Sequence, residues 1–143
     1  MLLGFKNQFV TPILQDTKLH TIRDDIHNRW QPGKTIQMCT GLRTKDLNIF
    51  NTKTCISTQS IIINAKKRTV DIIVPFRIRE ERVELSDGNI YWLAINDGFT
   101  NEGEFWSWFY LDLKDKPGLE GKKKLIHWTH LTYPIEGISD LPF

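Results

Sequence analysis

The stretch that decides the fold reads TCISTQSIIIN at residues 54–64, AKKR at 65–68 and TVDIIVPFRI at 69–78. Its first and last parts are rich in β-branched residues, which are typical of strands. The four residues between them indicate a turn. Pro75 cannot donate a main-chain hydrogen bond, which favours an edge position or a bulge in the second strand. The stretch therefore predicts two strands and a fold built largely on β-structure.

The segments before this stretch predict a short helix, a strand and a loop. Apolar residues at positions 5, 9, 10, 13 and 14 have helical spacing, and Pro12 favours a helix that starts there rather than one that runs through it. Residues 35–41 alternate in polarity and predict a strand. Residues 43–53 are mostly polar and predict a loop.

Two interpretations remain open for residues 83–92. They predict either a short hairpin that turns at residues 86–89 or a helix that begins near Tyr91. Beyond them, Thr100 or Asn101 can cap a strongly apolar helix that has acidic residues in its first turn.

The C-terminal part predicts a loop, a strand and an irregular tail. Residues 114–124 are charged and include three consecutive lysines, which indicates a solvated loop. Residues 125–131 predict a final strand, and the tail begins at about residue 132. Several strands with two or three short helices predict a single α+β domain over residues 1–143, with a small mixed β-barrel.

The composition limits the possible function classes. The chain has 143 residues, of which 40% are hydrophobic and 25% charged, which is enough for one core without disulfide bonds. Its formal net charge of +2 means that any affinity for nucleic acid has to come from a local patch. Cys39 and Cys55 form no C-x-x-C pair, and we expect both to be reduced and buried. No apolar segment approaches the ~20 residues of a membrane span, and no leader is evident, so we expect a cytoplasmic protein with no membrane contact.

Familiar cofactor motifs are absent from the sequence. The four histidines, at positions 20, 27, 127 and 130, form neither H-E-x-x-H nor a Cys/His cluster, so no metal site is expected. There is also no P-loop, no G-x-G-x-x-G and no G-x-S-x-G. We therefore expect no cofactor.

The densest concentration of reactive side chains is KLHTIR, at residues 18–23. The hydroxyl of Thr21 becomes a nucleophile when a base removes its proton, and a desolvated Lys18 can be that base. Arg23 can orient a phosphate or stabilise an oxyanion. In a regular strand Lys18 would face away from Thr21 and Arg23, so a shared site requires a bend in this stretch. A carboxylate is also needed for proton transfer, and Asp24, Asp25 and Asp97 are the candidates.

Several segments together resemble the ASCH domain of the PUA-like superfamily. They are KxxTIR at residues 18–23, PGK at 32–34, AINDGF at 94–99, EF at 104–105 and KLIHW at 124–128. The resemblance covers about residues 5–131 and implies a small β-barrel with a cleft for RNA or a modified nucleoside. Some small bacterial members are acetylcytidine amidohydrolases. The resemblance to them implies Lys18 as base, Thr21 as nucleophile and Asp97 at the position of their proton-relay Glu, which is one methylene longer.

Three functional hypotheses follow. The first is a cationic cleft that binds RNA, another single strand or a modified nucleoside, with Trp30 or Trp92 stacking on a base. The candidate ligand-binding residues are Arg23, His20, Arg29, Trp30 and Arg43. The second hypothesis is an amidohydrolase that removes an acyl group from an acetylated cytidine-type nucleoside through Lys18, Thr21 and Asp97. The third is a protein-interaction domain with a shallow, uncharged cleft.

Overall fold

The computed structural model describes residues 1–76 and 78–136, and this part of the chain folds as an α+β domain. The strands are β1 Leu2–Gly4, β2 His20–Arg23, β3 Thr35–Thr40, β4 Asn48–Thr54, β5 Ser57–Asn64, β6 Thr69–Phe76, β7 Arg79–Glu84 and β8 Glu120–His127. The α-helices are α1 Val10–Leu14, α2 Asp87–Asn96 and α3 Glu102–Leu113. Short 3-10 turns at Asn7–Phe9 and Pro117–Leu119 precede α1 and β8. The predicted α+β class is confirmed.

The strands form two sheets. One has the order β1-β3-β4, with β1 parallel to β3, and the other is antiparallel with the order β2-β8-β5-β6-β7. Across the described residues these pairings do not close into one ring, so the expected β-barrel is replaced by two sheets. Short strands such as β1 and β2 lie at sheet edges, and no hydrogen-bonded ladder within residues 1–76 and 78–136 joins one sheet to the other.

The predicted hairpin at the centre of the sequence is confirmed. β5 and β6 are antiparallel, with Asn64 opposite Thr69 across the turn. Pro75 lies in β6, between β5 and β7, so β6 is not an edge strand. The pairing with β5 nevertheless ends at Ile73, and Pro75 has only β7 beside it. Its missing N–H therefore breaks no ladder hydrogen bond on the β5 side.

Three sequence-based predictions of local structure were wrong. Strand β4 begins at Asn48, within the predicted loop, because its polar residues pair with β3 at a sheet edge. Strand β8 begins at Glu120, so the lysine run lies in a strand, and β8 ends at His127 rather than at residue 131. Helix α1 begins at Val10, with Pro12 in its first turn, where a missing N–H costs no hydrogen bond.

Side-chain caps explain where α2 and α3, the two helices that position the site, begin. Ser86 Oγ accepts a hydrogen bond from the N–H of Asn89, which starts α2 and rules out the hairpin interpretation of this segment. Asn101 Oδ1 accepts from the N–H of Glu104 at 2.9 Å and starts α3, as one of the two predicted caps.

The core is continuous across both sheets and the helices. Its fully buried members include Ile13, Ile36, Met38, Ile61, Ile63, Leu93, Phe105, Leu113, Leu125 and Ile126. Cys39 and Cys55 are buried free thiols, as expected. The tail is irregular as far as residue 136, and the rest of the predicted tail, residues 137–143, lies outside the described residues.

Candidate functional site

The main pocket combines a polar floor with aromatic walls. Its volume is about 400 Å³, and four of the sequence-predicted residues line it: Lys18, Thr21, Arg23 and Asp97. Lys18, Thr21 and Asp97 are each less than 5% exposed, and together with the half-buried Arg23 they form the floor. The aromatic wall consists of Phe5, Phe9, Phe99, Trp108 and Phe109. Charged side chains at the opening are Lys6, Asp24, Asp112 and Lys123.

The floor residues meet because the backbone is irregular before β2. Strand β2 begins only at His20, so the side chain of Lys18 does not have to point to the face opposite Thr21 and Arg23. The N–H of Lys18 donates to the carbonyl of Pro12 at 3.0 Å, and the N–H of Leu19 donates to the carbonyl of Asn96 at 2.7 Å. Within β2, Thr21 and Arg23 then share the face that lines the pocket. This is the bend that a shared site required.

The C-terminus of α2 supplies Asp97. Gly98 has φ +96° and closes a Schellman motif, in which its N–H donates to Ile95 and the N–H of Phe99 donates to Ala94. The motif leaves the Asp97 carbonyl free to accept a hydrogen bond at the negative end of the helix. A cation is favoured at that position, and Lys18 is the cation that occupies it.

Lys18 is buried against Asp97 and two aromatic rings. Its Nζ donates to the Asp97 carbonyl oxygen at 2.5 Å and lies 3.4 Å from Asp97 Oδ1. Nζ also lies 4.7 Å from the ring centroid of Phe9 and 5.8 Å from that of Phe5. Desolvation lowers the pKa of Lys18 from 10.5 to about 8; Asp97 partly opposes this shift and the charge of Arg23 adds to it. An appreciable fraction of this amine is therefore neutral near physiological pH.

Arg23 holds the hydroxyl of Thr21 in place. Its Nε donates to Thr21 Oγ1 at 3.1 Å, and its Nη2 donates to the carbonyl of Gly4 at 2.6 Å. The guanidinium also lies over the ring of Phe5, 4.7 Å from the centroid. In the described part of the chain no hydrogen bond joins Lys18 directly to Thr21, since both contacts of the amine are with Asp97. The hydroxyl therefore faces the pocket beside a cation.

His20 lies behind the floor rather than in the pocket. Strand alternation turns it away from Thr21, and it is fully buried. Its Nδ1 lies 3.0 Å from Asp97 Oδ1, and its Nε2 lies 2.6 Å from the Tyr133 hydroxyl. Burial lowers the pKa of His20, with hydrogen bonding to Asp97 opposing the shift, so the ring is neutral. The predicted direct contact between His20 and a ligand is therefore corrected to a contact with Asp97.

Three other predicted ligand-binding residues lie outside this pocket. The ring of Trp30 packs into the core cluster, and the main-chain N–H of Trp30 donates to Asp25 Oδ2. Arg29 is exposed near the N-terminus, with its N–H bound to Asp25, and Arg43 is exposed in a turn with φ 64°. Trp92 does not line the pocket either. Of the predicted cationic residues, Lys18 and Arg23 therefore line the pocket, whereas Arg29 and Arg43 do not.

The three candidate carboxylates, those of Asp24, Asp25 and Asp97, lie in different places. Asp25 accepts hydrogen bonds from the main-chain N–H groups of Arg29 and Trp30 and from Lys124, which gives it a structural role and a lowered pKa despite the opposing desolvation. Asp24 lies at the opening and pairs with Lys123. Asp97 is the candidate that reaches the floor of the pocket.

Sequence reasoning missed the aromatic wall and Tyr133. Phe9 and Trp108 lie edge to face, with centroids 5.5 Å apart, and Trp108 also carries Lys6 over its ring at 5.5 Å. Tyr133 reaches His20 from the segment after β8, which carries no recognisable pattern in the sequence. The apolar residues of α3, among them Phe105, Trp108 and Phe109, predicted a helix that packs tightly but not which part of it stays open.

The described residues contain no group of three or more His, Cys, Asp or Glu side chains arranged to hold a metal ion. Among the helices of residues 1–76 and 78–136, none has the length and apolar character required to cross a membrane. Comparisons with protein-family models, curated proteins and solved structures found no match to this chain.

Proposed function

We propose that this chain is an ASCH-like, PUA-like domain whose pocket binds a modified nucleoside, either free or within single-stranded RNA. The observation that carries the proposal is that one pocket has two cations and a hydroxyl on its floor and aromatic rings along its wall. The residues of the floor are those that the ASCH resemblance selects, namely Lys18, Thr21, Arg23 and Asp97. Polar floor groups can bind the edge of a base, while an aromatic wall can stack on its face.

The size of the pocket favours a small ligand over a long groove. Its volume of about 400 Å³ lies within the range of about 300–1,000 Å³ that is usual for small-molecule sites. Trp108 is half-buried, with Lys6 over its ring, whereas Phe9 and Phe99, which pack edge to face against it, are buried. A planar base that takes the place of Lys6 can lie against Trp108 with its polar edge toward Thr21 and Arg23.

The charges around the pocket are mixed. Lys18 and Arg23 face Asp97 on the floor, and Lys123 at the opening is paired with Asp24 and Asp112. Most of the positive charge is already compensated, so the field that would draw in many phosphates is weak. This balance supports recognition of the nucleoside more than recognition of a phosphate backbone.

Calorimetric titration with N4-acetylcytidine, cytidine and uridine tests the proposal. We expect N4-acetylcytidine to bind with little dependence on salt, because no phosphate is neutralised. Thr21→Val removes the hydroxyl and keeps the shape, and we expect it to weaken binding about fivefold or more. Thr58→Val, in β5, is the matched control. Absence of binding by every nucleoside and by short single-stranded RNA at low salt would contradict the proposal.

A second candidate function, amide hydrolysis, is supported by the state of Lys18. Its pKa of about 8 gives it a neutral fraction that can accept a proton, and the hydroxyl of Thr21 lines the same pocket. The hydrogen bond from Arg23 to Thr21 Oγ1 favours loss of the hydroxyl proton. The amine must move from the Asp97 carbonyl to reach the hydroxyl, and a bound acyl group can drive that movement.

In the proposed reaction, Lys18 takes the proton from Thr21 Oγ1 as this oxygen attacks the acyl carbon. Arg23 stabilises the oxyanion of the tetrahedral intermediate. When the C–N bond breaks, the proton passes from Lys18, directly or through Asp97, to the departing amine of the base. Water then attacks the Thr21 ester and loses a proton to Lys18. As the ester C–O bond breaks, Lys18 returns this proton to Thr21 Oγ1, which releases the carboxylic acid and restores the hydroxyl.

Incubation with N4-acetylcytidine, followed by chromatography for cytidine, tests the second candidate. We expect kcat/KM to rise with pH and level off above about pH 8, since the neutral form of Lys18 is required. Thr21→Ser should retain activity, whereas Thr21→Val and Lys18→Met should abolish it. Activity that persists in both Thr21→Val and Lys18→Met would exclude this mechanism.

A further inference from the structure

A chain of buried hydrogen bonds runs behind the pocket and ends on its carboxylate. Asn96 Nδ2 lies 3.1 Å from the Tyr133 hydroxyl, which lies 2.6 Å from His20 Nε2. His20 Nδ1 lies 3.0 Å from Asp97 Oδ1. His20 and Tyr133 are 0% and 3% exposed, and neither lines the pocket, whereas Asp97 does. Among the described residues, these hydrogen bonds therefore reach the pocket through Asp97 alone.

The donors and acceptors allow one direction along this chain. Oδ1 of the Asp97 carboxylate is an acceptor, so Nδ1 of the neutral His20 ring carries the hydrogen and donates to it. Nε2 is then unprotonated and accepts from the Tyr133 hydroxyl. The Tyr133 oxygen in turn accepts from the amide Nδ2 of Asn96, which is a donor only.

Tyr133 is itself held from a strand of the large sheet. Gln59, in β5, donates from Nε2 to the Tyr133 carbonyl at 2.7 Å and accepts from the Tyr133 N–H at 2.9 Å. The rings of His20 and Tyr133 meet edge to face, with centroids 5.4 Å apart. These contacts fix the phenol before any ligand arrives.

We propose that Tyr133 and His20 are positioning residues that hold the Asp97 carboxylate toward Lys18 and leave its Oδ2 for the ligand. In the described part of the chain the polar contacts of the carboxylate fall on Oδ1, from His20 and Lys18. The inference deepens the proposed function and rests on it for the role of the ligand. Hydrogen bonds from behind a binding side chain fix its orientation in this way.

The titratable and charged groups around Asp97 are Lys18, Arg23, His20, Tyr133 and, beyond the imidazole, His127. Burial raises the pKa of Tyr133, and burial lowers that of His127 to about 3, so both are neutral. His127 faces the ring of His20 at 5.3 Å. Loss of the Tyr133 hydroxyl leaves His20 Nε2 without its donor, and the imidazole is then free to rotate. The hydrogen bond from Nδ1 to Oδ1 weakens as the ring turns, and Lys18 loses an aligned partner.

The test compares Tyr133→Phe with Tyr110→Phe, which makes the same change at a half-exposed phenol on α3. The first readout is the pKa of Lys18, followed by NMR of the lysine Cε and assigned through Lys18→Met. We expect Tyr133→Phe to lower this pKa by at least about half a pH unit. The second readout is affinity for N4-acetylcytidine, which we expect to fall about five- to tenfold. Tyr110→Phe should change neither.

Asn96→Ala provides a second variant that removes the donor to Tyr133 while leaving a good helix former in α2. We expect a smaller shift of the Lys18 pKa in the same direction, and this variant decides the matter if Tyr133→Phe does not fold. An unchanged Lys18 pKa in a folded variant would overturn the proposal. If the wild-type protein binds no nucleoside, the proposed function fails, while the NMR measurement on the ligand-free protein still tests the positioning role.

Discussion

Gly98 and Lys18 are in such close contact that a Cβ atom on Gly98 would lie 2.9 Å from Lys18 Cδ and 3.2 Å from Lys18 Cβ. The contact explains why the turn after α2 carries glycine for two separate reasons. Its φ of +96° is unfavourable for an L side chain, and the space above it is filled by the stem of the buried lysine.

Gly98→Ala should therefore destabilise the protein by more than conformational strain alone. Gly33→Ala is the matched control, because Gly33 has φ +92° and nothing within 4 Å of the added Cβ. We expect Gly33→Ala to lower the free energy of unfolding by about 1 kcal/mol and Gly98→Ala by about 3 kcal/mol. Urea unfolding of both variants measures the difference. Equal losses would show that the contact with Lys18 contributes nothing.

The buried Lys18 should make stability rise with pH above neutrality. Its folded pKa of about 8 lies below the unfolded value of 10.5, so the unfolded chain binds more protons between these values. From pH 7 to pH 9.5 this group alone should add about 2 kcal/mol to the free energy of unfolding. Urea titrations of wild type and Lys18→Met at both pH values test this, with exposed Lys45→Met as control. A wild-type increase no larger than that of Lys18→Met would contradict the prediction.

His127 should also make stability rise with pH, but on the acid side of neutrality. Burial, together with the nearby His20, lowers the pKa of His127 to about 3, so the unfolded chain binds its proton first as the pH falls below 6.5. Between pH 7 and pH 5 this should remove about 2 kcal/mol of stability. His127→Gln can keep the hydrogen bond to Gln59 and should reduce the loss, whereas exposed His130→Gln should not. Identical pH profiles for the two variants would refute the assignment.

Lys123 should matter more for stability than Lys122, its neighbour in the lysine run. It points to the α3 side of β8, where it contacts Asp24 at 2.9 Å and also Asp112. Both carboxylates are partly solvated, so we expect Lys123→Met to cost only about 1 kcal/mol of unfolding free energy. Lys122→Met, one residue earlier on the opposite face, should be neutral within about 0.5 kcal/mol. A larger cost for Lys122→Met in thermal or urea unfolding would reverse this assignment.

Local patterns anticipated the central hairpin, the Asn101 cap and the helix that follows, because each depends on residues close together in the chain. The lysine run could not be placed in the same way. Its charges indicated a solvated loop, yet strand β8 pairs on both sides, with β2 and with β5. Lys123 also binds the carboxylates of two residues that lie 99 and 11 positions away in the sequence. Such long-range pairing overrides local polarity.

The sequence by itself determined which side chains could do chemistry: Lys18, Thr21 and Arg23 by residue type, with Asp24, Asp25 and Asp97 as candidate carboxylates. Only the tertiary structure decided that the first three share one floor with Asp97, since the Schellman turn after α2 must dock on the residues before β2 to bring Asp97 to Lys18. It also decided that Trp30 belongs to the core, that Trp108 faces the pocket and that Tyr133 supports His20 from behind. The physical reason is that strand alternation and helix periodicity act over a few residues, whereas burial and partner choice depend on segments that meet only after folding.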